Sequence, residues 1–200
     1  MKRVVTWAFG AALAAMVATG ASAQLLGSDS EAFLTAVREQ DGAKVQALAG
    51  SSAASVVNYR GFSGDTPLTV AMANRSGAFV GFLLGKGADP DLADKHGDTP
   101  LIIAARSGYI EGVDRMLAAR ADVNAANRQG ETALIVAVLR RHPQAVRRLL
   151  EAGADADKAD FAAGYSARDY ARRDTRNREL LRLIETIKPA RRAVAGPVRN

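Results

Sequence analysis

An all-α solenoid of helix-turn-helix units joined by polar turns is the fold class this sequence predicts, and three observations predict it. A turn of the form Gly-x-Thr recurs at Gly64, Gly97 and Gly130, spaced thirty-three residues apart, and a variant follows at Gly164 after thirty-four. Each turn opens an apolar run: GDTPLTVA (64–71), GDTPLIIA (97–104), GETALIVA (130–137) and GYSARDYA (164–171). A second run then closes each unit on a polar turn: VGFLLGKGADPD (80–91), VDRMLAARADVN (113–124) and VRRLLEAGADAD (146–157). Self-similarity at such a period marks stacked units, none of which can bury its apolar face alone.

Taken in order, residues 1–23 read as an address and not as part of the fold. Lys2-Arg3 give a positive front, Val4 to Val17 an apolar run, and Ala21-Ser22-Ala23 a small-residue cleavage site before Gln24. The apolar run is shorter than the ~20 residues a spanning helix needs. The expectation is a cleaved signal peptide and an exported, periplasmic chain, whose formal charge falls from +6 to +4 when Lys2 and Arg3 leave. The first unit is expected at about 28–60: Ser28 to Gly50 is a degenerate repeat, in which Ala36 and Val45 match Ala71 and Val80 with two extra residues in the connection, and Ser51 to Ser63 is a long connecting segment carrying Val56, Val57, Tyr59 and Phe62. Regular units are expected at about 61–93, 94–126 and 127–160. The central one shows the logic. Thr99 caps the first amides of a helix whose first position is Pro100, where a missing N–H costs nothing. Leu101, Ile103, Ala104 and Ala105 give it an apolar face, Ser107-Gly108 ends it, and Ile110, Val113, Met116 and Leu117 recur at helical spacing in the second helix. Neither helix is long enough to be stable by itself in water. In the last unit, 161–187, Arg168 takes the place of Leu68, Leu101 and Leu134, which suits an outer end and no interior position. A basic helix from Arg176 to Ile187 closes the stack, and the basic tail 188–200 has no periodicity and is expected to be disordered.

The period, the TPL turn and the LLxxGADxD close make this chain similar to the ankyrin repeat family, over roughly Ser28 to Ile187. The resemblance implies a solenoid of four to five repeats including end caps, with short hairpin fingers between the helix pairs, used to grip other proteins. Three departures stand out. Thr69, Ile102, Ile135 and Asp169 replace the histidine that usually follows TPL, so apolar packing at Ile102 and Ile135 substitutes for its hydrogen bonds. Arg120 stands where Gly87 and Gly153 close their helices, and a left-handed backbone there would cost on the order of 1 kcal/mol. Arg75 and Arg141 likewise replace the glycine seen at Gly108.

Chemistry is sparse. With no cysteine in the chain, a disulfide scaffold, a thiol catalyst and a lipid-acceptor cysteine are all excluded. His96 falls on a finger and His142 at a helix start, without a partner at metal-ligand spacing. The series Asp89-Asp91-Asp94 and Asp155-Asp157-Asp160 lacks the glycine and distal glutamate of a calcium loop and reads as turn and cap formers. No metal, cofactor or catalytic role is expected.

The expected function lies on the surface. In a stack of this kind, finger tips and the exposed side of the first helices form one concave face. Register places there Phe62, Ser63, Asp65 and Asn74, then Lys95, His96, Asp98 and Arg106, then Arg128, Gln129, Glu131 and Arg140, and finally Tyr165 and Arg173. Arg106, Arg128, Arg140 and Arg173 would make a positive column suited to an acidic patch on a partner protein, with the chain acting as a monomer. The arginines near 168–192 offer a minor second contact, with anionic membrane, while export argues against nucleic acid.

Overall fold

The computed structural model describes residues 29–50 and 56–187. The expected signal peptide and basic tail lie outside the described residues. Ten helices are described, and no strand is found among these residues. They are α1 (29–39), α2 (Gly42–Leu48), α3 (Pro67–Ala73), α4 (Gly77–Gly85), α5 (Pro100–Ser107), α6 (Ile110–Ala118), α7 (Ala133–Leu139), α8 (Pro143–Glu151), α9 (Ala167–Arg173) and α10 (Arg178–Thr186). The solenoid expected from the repeats is the architecture observed.

Each inner helix starts the same way because a hydroxyl precedes it. Thr66, Thr99, Thr132 and Ser166 each accept from the backbone N–H three residues on, and Pro67 and Pro100 fill the first position. Thr66 and Ser166 extend this to capping boxes with Thr69 and Asp169. Two of the four residues that stand in for histidine are thereby used as caps, while Ile102 and Ile135 are fully buried as expected.

Inner helices pack side by side, α3 on α5, α5 on α7 and α7 on α9, while α4, α6, α8 and α10 form the outer row. Flanked on both sides and backed by α8, the inner helix α7 buries Ala133 through Val138 without a break. Its outer partner α8 needs only one apolar stripe, Ala145, Val146, Leu149 and Leu150. At the far end Leu180, Leu183 and Ile184 of α10 close the core, and Arg168 turns outward to chelate Asp157 at 2.6 and 3.2 Å. At the near end Phe33, Leu34, Ala36 and Val37 of α1 are buried against the stack. Asp41 N donates to Ala36 O at 2.9 Å as Ser76 N donates to Ala71 O at 3.0 Å. The helix-to-helix turn of the first unit therefore has ordinary length, and its two extra residues fall beyond Val45.

That turn demands a left-handed residue in every unit from the first to the fourth: Gln40 (φ 59°), Arg75 (52°), Gly108 (65°) and Arg141 (56°). The position closing the second helices is also left-handed, at Gly87 (85°), Arg120 (62°) and Gly153 (92°). The conformation anticipated for Arg120 is thus present.

The aspartates of the polar turns tie one unit to the next. Asn58 Oδ1 accepts from Asp89 N, Asp91 Oδ1 from Asp122 N, and Asn124 Oδ1 from Asp155 N, at 2.7 to 2.8 Å. Asp89, Asp94, Asp155 and Asp160 serve as turn formers, as the resemblance implied, each accepting from a backbone N–H within the next four residues; none of the series caps a described helix.

Candidate functional site

The concave face is built from fingers and inner helices, and the fingers are tight turns closed by main-chain bonds. Asp94 N donates to Asp98 O, Asn127 N to Glu131 O, and Asp160 N to Tyr165 O, all at 3.0 to 3.1 Å; Gly61 N to Asp65 O closes the first finger at 2.9 Å. Only isolated bridges, Ala126 with Thr132 and Ala159 with Ser166, give them hairpin character among the described residues. Side chains brace each turn from within. Asp94 Oδ1 accepts from His96 N and Asp98 N, and Asn127 Oδ1 from Gln129 N and Glu131 N. Asp160 does the same for Ala163 and Gly164, and takes the Tyr170 hydroxyl at 2.5 Å on its other oxygen. That bond to Asp160, with burial, pushes the Tyr170 phenol up to about 12. Burial would raise the Asp160 carboxyl, but the Tyr170 hydroxyl and the finger amides outweigh it and hold it below its ordinary value.

The residues expected on this face sort into three groups. Phe62, Lys95 and Arg128 stand on the finger tips, exposed, with His96 and Gln129 beside them. His96 O accepts from Arg128 N and Gln129 O from Phe161 N, so each of these tips is tied to the next. Asn74 and Arg140 are exposed at the ends of α3 and α7, and Arg173 projects from α9 with its guanidinium 3.9 Å from the Tyr165 ring centre. Tyr165 in turn meets Tyr170 edge-on.

A third group is turned to internal use, which corrects part of the expected surface. Asp98 is buried, only 4% exposed, and not a surface acid. Its carboxylate receives both arms of Arg106, at 2.5 and 2.9 Å, and Asn127 Nδ2 at 2.9 Å. Burial acts to raise the Asp98 carboxyl, but Arg106 and Asn127 more than compensate and hold it below its ordinary value. Arg106 is therefore neutralised in place. Asp65 is likewise occupied, by Arg38 at 3.2 Å and by Ser63 at 2.7 Å, and Glu131 accepts from Asn127 at 3.0 Å. The expected positive column is also not a single row. Arg106 and Arg173 lie on inner helices, Arg128 lies on a finger, and Arg140 follows α7 by one residue. The residue in register with Arg106 is Leu139, since each precedes its left-handed turn residue by two.

Between the second and third fingers and α5 and α7 lies a cleft of about 560 Å³, lined by His96, Asp98, Arg106, Gln129, Glu131, Val136, Leu139 and Arg140. Its floor is apolar and its rim charged. Leu139, Phe62 and Phe161 are the exposed large apolar side chains among the described residues, at 44, 91 and 77%, and all three fall on this face. Sequence reasoning had passed over Leu139, Phe161 and Arg38. The signal for Leu139 was its register with Arg106. For Phe161 it was the one-residue insertion, which the closure from Asp160 to Tyr165 places inside the finger, making Phe161 the counterpart of Arg128.

No helix of the described residues is long and apolar enough to cross a membrane. Compared with known protein families, the chain matches a model described as ankyrin repeats (3 copies), at residues 21–127 and 75–160. No curated protein matches it.

Proposed function

This chain belongs to the ankyrin repeat family, whose repeats generally mediate protein–protein binding, and we propose that it is a non-catalytic, monomeric module that holds a partner protein in its concave groove. The observation that carries this reading is the cleft between the third and fourth units: Leu139 lies exposed on an inner helix beside Val136, under a rim of Gln129, Glu131 and Arg140. A half-exposed leucine at the foot of a charged cleft is the arrangement of an interface, where an apolar centre is ringed by polar groups. Arg140 has no ion-pair or hydrogen-bond partner for its side chain among the described residues, and neither do Lys95 and Arg128. The face thus offers net positive charge to an acidic patch on the partner. An exported, periplasmic setting is supported by the leader-like run at residues 1–23, and mass spectrometry of the chain recovered from its source should give an N-terminus at Gln24.

Leu139→Glu combined with Arg140→Glu should abolish recovery of the partner in affinity capture from the native compartment. Arg106 is left intact in that variant because Asp98 depends on it. If the doubly substituted chain recovers every protein that the unmodified chain does, the groove is not the binding site.

A further inference from the structure

Building on this binding role, we infer that the finger tips recognise an extended segment of a partner protein that presents an apolar, an acidic, a second acidic and a second apolar side chain at every third residue, in a polyproline II conformation. The structure puts Phe62, Lys95, Arg128 and Phe161 in one register. Each follows the residue whose N–H closes its finger, namely Gly61, Asp94, Asn127 and Asp160. The fingers that carry them abut in order, each through the glycine two residues beyond its tip residue. A Cβ on Gly64 would lie 2.4 Å from Lys95 Cβ, one on Gly97 2.9 Å from Arg128 N, and one on Gly130 2.6 Å from Phe161 N. The row therefore reads aromatic, cation, cation, aromatic.

Two things set this row apart from an ordinary solvated edge. Phe62 and Phe161 are 91 and 77% exposed, with no polar function to place them in water, while the described core keeps its other aromatic rings at least partly covered. The charges are sorted as well. The acids nearest the tips are occupied: Asp94 and Asp160 by finger amides, Asp65 by Arg38, Asp98 by Arg106 and Glu131 by Asn127. Lys95 and Arg128 have no side-chain partner among the described residues. An acidic ligand would meet cations whose counter-charges are spent elsewhere.

Spacing selects the ligand's conformation. Packed helices stand about 8–10 Å apart, so consecutive tips repeat at about that distance. A polyproline II chain has three residues per turn and rises about 9 Å in that turn, presenting every third side chain to one side. A β-strand alternates its side chains, so residues three apart point to opposite faces. About ten residues of polyproline II span the four tips.

The test uses a fluorescent peptide of about ten residues, proline-rich, with leucine at its first and last positions and glutamate at the fourth and seventh, titrated against the mature chain by anisotropy. A misphased peptide has the same composition with the glutamates adjacent, and a third peptide carries lysine in their place. The in-phase peptide should bind about tenfold or more tighter than either. Lys95→Gln with Arg128→Gln should weaken it about tenfold and remove most of its salt dependence, and Phe62→Ser with Phe161→Ser should weaken it about as much while keeping that dependence. Thermal melts establish that the variants are folded. The inference is overturned if the in-phase peptide shows no saturable binding, binds no tighter than the misphased one, or is indifferent to the tip substitutions. If tip variants still capture a partner that the Leu139 and Arg140 variant loses, the tip strip fails while the groove reading stands.

Discussion

Arg120 holds a left-handed backbone at φ 62°, and its exposed side chain has no ion pair or hydrogen bond among the described residues. The strain is about 1 kcal/mol and nothing offsets it. Arg120→Gly should therefore raise stability by about that amount, a shift of roughly 2–4 °C in the melting temperature; an unchanged melt would show that the loop relaxes another way. The same substitution at Arg75 or Arg141 should give less, because these strained residues do something with their side chains. Arg75 donates to Ser107 O, and Arg141 chelates Asp174 at 2.6 and 3.2 Å, each reaching into the following unit. At Gly108 the direction reverses: His142 of the following unit reaches back to Arg106 O at 3.2 Å, and a side chain on Gly108 would strike its ring. The replacement of glycine was plain in the sequence. That two arginines are used and one is not depends on the neighbouring unit and could not be read from position alone.

At the scale of the element, the fingers owe their shape to carboxylates and amides folded back onto their own backbone, and this gives them a pH signature. Asp98 is held low by Arg106 and Asn127 against its burial, Asp157 chiefly by Arg168, and Asp160 by Tyr170 and finger amides against its burial, all below the ordinary 3.8. A carboxyl depressed in the fold contributes stability above its unfolded value, near 4, and loses that contribution as the pH falls through its folded value. Thermal stability should accordingly hold from neutral pH down to about 4 and drop below it, and Asp98→Asn should flatten that drop. Arg106→Ala, which strands a buried carboxylate on one remaining amide, should cost about 2 kcal/mol in denaturant unfolding. Tyr170→Phe should cost about 1 kcal/mol and loosen the last finger, visible as faster amide exchange at Ala163 and Gly164. The helices and turns were legible from sequence because capping hydroxyls, prolines and glycines announce them locally. The occupancy of Asp98 was not, because its main partner, Arg106, lies eight residues on in a different element, where only the fold brings the two together.

Across the whole molecule, the periodicity translated directly into the stack, because each unit's apolar face is satisfied only by a copy of itself. The end units were legible for the opposite reason: Arg168 could not sit inside the core, and it sits at the end, paired with Asp157. A stack with nearest-neighbour contacts should open from its ends. Hydrogen exchange should find the strongest protection in α5 through α8 and the weakest in α1, α2 and α10; uniform protection would mean the chain unfolds as one block. The bonds from Arg128 N to His96 O and from Phe161 N to Gln129 O have a consequence at this scale. Because the second, third and fourth tips are laced together through main chain, they cannot swing apart to suit a guest. The edge behaves as a ruler with fixed graduations: it measures the interval between side chains, and a guest one residue out of phase finds no compromise position.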